Sequence, residues 1–302
     1  MQVAGSRPAD VRGWGSPTRP RVLRGWRATW RRTINSPVRA AAAAVLAAFI
    51  AAAILAPRIA PYNPLTIDLA DRLTGPSLPH LFGTDEVGRD LLSNVLYASR
   101  VSLLVGTGAA AVGMALAAPL GLFAGLRGGA VDDLVMRFTD GLLAIPGILL
   151  ALAIVASFGT SLRTLMIGVG CTLIPATVRI VRAGVLVERS RDYVVAAKAL
   201  GSREGSILMR HIFPNVRSPI LIQGTLGMTF AILTEAFMSF VGLGVQPPGS
   251  SLGTLLSSGY GFIRLAPWYV TFPGAFIFVL VWSLNVLGDA FRDSLDPRLR
   301  RL

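Results

Sequence analysis

Six stretches of this chain carry no charged residue over lengths that approach the thickness of a bilayer. A helix needs about 20 apolar residues to cross the hydrocarbon core. Windows of that order lie at 40–57, 101–126, 141–162, 218–234, 236–263 and 265–288. A shorter window, 164–178, ends at Arg179, whose long side chain can reach the membrane interface. A chain with this pattern is constrained to fold in lipid.

The lipid environment also selects the fold class. In the hydrocarbon core each backbone N–H and C=O has to be satisfied inside its own segment, which favours helices. The windows at 218–234 and 236–263 are best taken together, as one helix that contains Glu235 followed by an irregular loop. A composition that is 53% hydrophobic and 15% charged agrees with a membrane protein. We predict an all-α membrane protein with six transmembrane helices, at 38–56, 101–126, 137–158, 164–182, 219–241 and 268–288.

The distribution of basic residues predicts the orientation. They are concentrated before the first helix, in the second and fourth loops and after the last helix. Far fewer lie in the other loops, namely Arg58, Arg72, Arg89, Arg100, Arg163 and Arg264. By the positive-inside rule, both termini are therefore predicted to be cytoplasmic. The net charge of +13 then reflects topology and attraction to anionic lipid, and no nucleic-acid partner is predicted.

These assignments divide the chain into a tail, a first helix with its external loop, a core and a second tail. The predicted bounds are 1–37, 38–98, 99–290 and 291–302, with a cytoplasmic loop at 183–217 inside the core.

The Arg-rich first tail has its own pattern. Its residues Leu23, Trp26, Trp30 and Ile34 share one helical face, which predicts an interfacial amphipathic helix over 21–34. A cleaved signal sequence is the less favoured alternative, because the apolar run that follows is nearer to a full span and no clean A-x-A site follows it.

The sequence also excludes several chemistries. A nucleotide-hydrolysing P-loop needs Gly-Lys-Ser/Thr, but Lys198 is the only lysine and lies between alanines. Cys171 lies inside a predicted span, and the two histidines lie on opposite sides of the predicted membrane, so no metal site is expected. The segment 249–253 matches G-x-S-x-G, but a Pro-Pro pair precedes it where a nucleophile elbow requires a strand. We predict no catalytic, cofactor-binding or metal-binding residue in this chain.

The fourth loop carries the strongest positive signal. Residues 192–200 suit a helix with an acidic first turn and alanines in the middle, and Gly201 ends it. A second amphipathic piece is predicted over 203–212, before Pro214. Two short helices joined at a glycine would form a compact knob whose small face could enter a cleft in another protein, and that face comprises Val195, Ala196 and Ala197. An ordinary solvated loop fits the composition equally well.

This loop is similar to the EAA loop of binding-protein-dependent ABC importers, in which E-A-A is followed at fixed spacing by Gly and by I-x-L-P. The matching residues here are Val195-Ala196-Ala197, Gly201 and His211-Ile212-Phe213-Pro214, with Leu200, Ser202 and Arg203 around the glycine. The leading acid of the motif is Val195 in this chain. Val195 carries no charge, so no charged contact with an ATPase is expected at this position.

Further motifs make the chain resemble the C-type permease subunit of the dipeptide, oligopeptide and nickel group over about 38–299. They comprise Gly83-Thr84-Asp85-Glu86-Val87-Gly88-Arg89-Asp90, Arg100-Val101-Ser102-Leu103, Ala144-Ile145-Pro146, the run from Ala236 to Pro248, Asn285-Val286-Leu287-Gly288-Asp289, Arg292-Asp293 and Asp296-Pro297-Arg298.

The resemblance implies a membrane subunit of a type I ABC importer in the bacterial inner membrane. Its implied partners are a homologous second permease, two cytoplasmic ATPase subunits and an external solute-binding protein. ATP and Mg²⁺ would be bound by the ATPases. Peptides fit as cargo, but so do nickel chelates, glutathione and some glycosides. The alternative is an ion-coupled secondary transporter or channel that acts without an ATPase.

Charged residues in the spans supply pathway candidates. Arg137 and Asp140 lie three residues apart at the inner end of the third helix and could pair as a gate. Glu235 and Met238 on the fifth helix are the other candidates. For the charged residues, polar contact between helices is the competing interpretation.

The first external loop has two interpretations as well. Its signature, Gly83, Thr84, Asp85, Gly88, Arg89 and Asp90, could contact the binding protein or form a turn that leads into an interfacial helix over 91–96.

Overall fold

The computed structural model describes residues 36–295, and all of their regular structure is helical apart from one isolated bridge between Thr84 and Asp90. The longer helices are α1 (Pro37–Ile59), α2 (Leu91–Arg127), α3 (Gly129–Leu143), α4 (Gly147–Phe158), α5 (Leu162–Arg189), α6 (Asp192–Ala199), α7 (Glu204–Phe240), α8 (Leu252–Tyr260) and α9 (Trp268–Leu295). A short 3-10 turn at Leu69–Asp71 lies between α1 and α2. The predicted amphipathic helix at 21–34 and most of the predicted tail at 291–302 fall outside the described residues.

The predicted all-α membrane fold is confirmed, with one change to the third span. Within residues 36–295, α1, α2, α5, α7 and α9 are each long and apolar enough to cross a membrane. The single helix predicted at 137–158 is instead the pair α3 and α4, bent by 87° at Ala144–Pro146. Proline lacks an N–H and disfavours helical geometry in the preceding residue, which explains the break at Pro146. The total is five spans, or six if the bent pair crosses once.

Helices α2, α3 and α7 begin well before their predicted first residues, which are 101, 137 and 219. Helix α2 starts at Leu91, because the Asp90 carboxylate accepts the Ser93 N–H at 2.8 Å and caps the helix. The predicted interfacial helix at 91–96 is therefore the first part of α2, which runs unbroken through the predicted boundary at 98–99. Helix α7 starts at Glu204 and does not stop before Pro214.

Helices α2 and α5 approach each other at backbone contact. A Cβ added to Gly113 would lie 2.7 Å from the Gly170 carbonyl oxygen, and one on Gly170 would lie 2.8 Å from the Ala109 carbonyl oxygen. Further along the pair, a Cβ on Gly121 would lie 2.8 Å from the Val178 carbonyl oxygen, and Gly125 faces Val185. The spacing of Gly121 and Gly125 therefore serves close helix packing.

Candidate functional site

The segment between α5 and α7 forms a compact unit at one end of the bundle. Helix α6 ends in a Schellman motif: Gly201 has φ +77°, its N–H bonds to the Lys198 carbonyl, and the Ser202 N–H bonds to the Ala197 carbonyl. The left-handed conformation explains why a glycine stands there. Arg203 then opens α7, because its carbonyl accepts the N–H groups of Ser206 and Ile207.

One side of α6 packs against the transmembrane helices. Val194 is fully buried and Ala197 is 9% exposed, and both belong to an apolar cluster with Val181, Val185, Leu208, Ile212 and Val216. The prediction that Ala197 is exposed is therefore wrong. Helical periodicity turns positions 194 and 197 to the same face, so only one of the two adjacent alanines can point outward.

The other side of α6 is an open apolar surface, which we call the α6 surface and define as Val195, Ala196 and Leu200. Val195 is 56% exposed and Leu200 is 87% exposed, and Ala196 is also exposed. Ser202 and Arg203 are exposed beside it. The α6 surface therefore presents two large apolar side chains that no other part of residues 36–295 covers.

A polar cluster holds α6 in place. The Tyr193 hydroxyl donates to the Glu188 carboxylate of α5, and it accepts the Asn215 side-chain N–H of α7 at 3.0 Å. Burial raises the pKa of Tyr193 to about 12, with the bond to Glu188 acting in the same direction, so the hydroxyl keeps its proton for that bond. The His211 ring stacks beside the Tyr193 ring at 6.3 Å between centroids. The cluster ties one short helix to two spans.

A π-helical segment carries α7 past Pro214. Leu208–Ile212 is π-helical, and the Phe213 N–H bonds to the Leu208 carbonyl five residues back. Pro214 follows and has no N–H to continue the ladder, and a π-bulge accommodates that loss without ending the helix. The second helix of the fourth loop is thereby continuous with a transmembrane span.

The predicted pairing of Arg137 with Asp140 is wrong. Asp140 forms its ion pair with Arg179 of α5, whereas Arg137 is exposed and has no ion-pair partner among residues 36–295. A second pair, Asp132 with Arg182, also joins α3 to α5. The sequence contained evidence for both pairs. Arg179 and Arg182 lie three residues apart near one end of a span, where an unpaired charge is energetically costly, so each is expected to pair with an acid.

Glu235 and Met238 are both fully buried. The Glu235 carboxylate accepts the Ser239 hydroxyl at 2.7 Å and the Ser102 hydroxyl at 3.0 Å, and the Ser102 oxygen in turn accepts the Leu252 N–H. Glu235 therefore connects α7, α2 and the start of α8. For this residue the structure favours polar contact between helices over lining an open pathway.

The polar groups of the signature predicted for the first external loop bond to other residues of this chain. The buried Asp85 carboxylate accepts the N–H groups of Val87 and Arg89 and the Arg89 side chain, and Asp90 pairs with His80. Gly88 has φ +78°, and a Cβ there would lie 1.6 Å from the Asp68 carbonyl oxygen. A Cβ on Gly83 would collide with Trp268, and Thr84 is buried. These contacts support the turn interpretation over direct contact with a binding protein.

Helix α8 is absent from the sequence-based prediction, which assigned an irregular loop there. Its N-terminus is a capping box in which Ser251 and Thr254 bond each other's backbone N–H groups. Ser251, the central residue of the G-x-S-x-G match, is therefore a capping residue. Beside α8 lies a cavity of about 600 Å³, lined in part by Tyr62, Arg89 and Tyr97.

Comparison with protein families gives two matches. Residues 117–301 match the model of the binding-protein-dependent transport system inner membrane component. Residues 25–76 match the model of the N-terminal transmembrane domain of oligopeptide transport permease C. The first match covers more than half of the chain and contains the whole α5–α7 segment.

Curated relatives match over most of their length. The dipeptide transport system permease protein DppC of Alkalihalophilus pseudofirmus is 43% identical over 231 residues, which is 76% of each chain. The di/tripeptide transport system permease protein DppC of Pseudomonas aeruginosa is 40% identical, covering 80% of this chain and 82% of its own. The glutathione transport system permease protein GsiD of Pectobacterium atrosepticum is also 40% identical, covering 76% and 77%.

Among solved structures, a chain of the MetNI methionine ABC transporter in an inward-facing conformation aligns with a TM-score of 0.56. The alignment covers 68% of this chain and 96% of that one at 17% sequence identity. At that identity the likeness supports the fold alone.

Proposed function

This chain belongs to the binding-protein-dependent transport system inner membrane components, the non-catalytic permease subunits of bacterial ABC importers, and on that premise we propose that it carries di- or oligopeptides. The observation that carries the proposal is the group of relatives at 37–43% identity named as dipeptide or di/tripeptide permeases. Glutathione, named for another relative, is itself a peptide. Peptides are therefore the cargo class common to these names.

The α6 surface is the proposed docking site for the ATPase. It is apolar and open, and hydrogen bonds of Tyr193 join α6 to both α5 and α7. A closing ATPase pair that moved α6 would therefore move two spans as a rigid body. The contact is apolar in this chain, because Val195 stands where the family motif has its leading acid.

The complete transporter would contain a homologous second permease, two cytoplasmic ATPases that bind ATP and Mg²⁺, and an external binding protein that delivers the solute. The family's dependence on a binding protein supports this set of partners. This chain would form half of the translocation pathway. Its arginine distribution supports an orientation with both termini and α6 in the cytoplasm.

The pathway face of this subunit is proposed to lie along α3 and α5. The Asp140 and Arg179 side chains are 57% and 48% exposed although they belong to membrane-embedded helices. A half-exposed ion pair is costly against lipid, so this face should meet water or the second permease. Glu235 and Met238, being buried, are not assigned to the pathway.

The cargo is tested on the binding protein that co-purifies with the complex. Mass spectrometry of the ligand released from it is expected to detect short peptides. If a nickel chelate or a glycoside were found instead, the peptide assignment would be wrong while the permease assignment stood.

A further inference from the structure

A groove lies between α1 and α2, with Met228 of α7 also lining it. Its volume is about 560 Å³, and its lining is mostly aliphatic, including Ile50 and Ile54 on α1 and Leu104 on α2. Ile54 is 67% exposed and Leu104 is 55% exposed, so no other part of residues 36–295 covers them. The groove can therefore accept an apolar chain from outside the subunit.

Two polar side chains lie at one end of this groove. Tyr97 and Arg100 both line it, and they are three residues apart on α2, so they share a helical face. Neither side chain has a hydrogen-bond or ion-pair partner among residues 36–295, and the exposed guanidinium of Arg100 is a free cation there. The acids in the segment that directly precedes α2 are engaged elsewhere: Asp85 with Arg89, Glu86 with Tyr269, and Asp90 with His80.

The rest of the groove presents no free donor. Thr107 is its other polar residue, and its hydroxyl donates to the Leu103 carbonyl of its own helix at 2.6 Å. A ligand for this groove should therefore have one anionic end and an apolar remainder.

The depth of Arg100 identifies the kind of ligand. Arg100 immediately precedes the charge-free stretch 101–126, which at about 1.5 Å per residue is roughly 39 Å long and ends at Arg127. A bilayer with its headgroups is about 40–45 Å thick, so Arg100 lies near the headgroups at one surface. The groove residues Leu104 and Thr107 lie deeper by about 6 and 10 Å along the helix.

We propose that this groove is a binding site for an anionic phospholipid, with the phosphate at Arg100 and Tyr97 and one acyl chain along Ile50, Ile54 and Leu104. Arginine binds phosphate through two parallel hydrogen bonds, and the unpaired positive charge selects a headgroup with net negative charge. In the orientation proposed above, the lipid belongs to the outer leaflet of the membrane. This site is independent of the cargo and of the ATPase contact.

Native mass spectrometry of the full-length chain with added phosphatidylglycerol or phosphatidylcholine tests the site. The wild-type chain is expected to retain phosphatidylglycerol in preference to phosphatidylcholine, and Arg100→Gln should weaken that retention about tenfold. Arg100→Lys should keep most of it. Leu104→Trp, which fills the groove without changing charge, should reduce retention of both lipids.

Arg163→Gln is the matched control, because Arg163 is also an exposed arginine at the start of a span on the same proposed side. If Arg163→Gln lost as much phosphatidylglycerol retention as Arg100→Gln, the effect would come from general surface charge and the proposed site would be wrong. Unchanged retention in both Arg100→Gln and Leu104→Trp would also overturn it. Retention by the free chain but not by the assembled transporter would show that another subunit covers the groove, and would overturn it too.

Discussion

Replacing Gly113 with leucine is expected to separate α2 from α5 and to abolish the folded permease. The Gly113 position faces the Gly170 backbone, and even a Cβ there would lie 2.7 Å from its carbonyl oxygen. A backbone atom cannot rotate away as a side chain can, so the helices would have to move apart along their whole contact. We expect a loss of about 3 kcal/mol or more in unfolding free energy, measured as the thermal stability of the detergent-solubilised chain.

Gly141→Leu is the control for this prediction. Gly141 is also helical, but a Cβ added there would meet no atom within 4 Å, so its replacement should change stability little. If Gly113→Leu melted at the wild-type temperature, the backbone contact between α2 and α5 would not determine the fold.

The second large effect is expected at the α6 surface. Leu200→Asp should leave folding intact, because the side chain is 87% exposed and contributes little to the core. It should weaken ATPase association by about 30-fold, since a central apolar interface residue contributes about 2 kcal/mol. The readout is the amount of ATPase that co-purifies with the permease, together with ATP-driven uptake.

Leu78→Asp is the matched control, since Leu78 is 94% exposed in the loop between α1 and α2, which is external in the proposed orientation. It should retain full ATPase association. Equal co-purification in wild type and Leu200→Asp would place the ATPase contact elsewhere on the chain.

The sequence predicted the membrane class well, because the energetic penalty for charge in lipid leaves long readable windows such as 101–126. It predicted helix ends poorly. The start of α2 depends on a capping contact of Asp90, and the continuation of α7 through Pro214 depends on a π-helical segment. The amino-acid composition predicts neither of these features, because individual hydrogen bonds determine both.

The candidate sites show the same limit. The fourth-loop motif located α6, but only the packing of Val194 and Ala197 shows which side of the motif is available to a partner. The sequence identified Arg137 and Asp140 as charged residues of the third span but paired them with each other. Asp140 instead pairs with Arg179, 39 positions away, because α3 lies against α5. Spacing within one helix cannot predict a partner on another helix.

Uptake of a labelled dipeptide into proteoliposomes tests the central claim, that this permease is driven by a separate ATPase. With the second permease, the ATPases, the binding protein and ATP all present, the peptide should accumulate inside the vesicles. It should not accumulate with this chain alone, even under an imposed ion gradient. Concentrative uptake by the chain alone would contradict the account and favour an ion-coupled transporter.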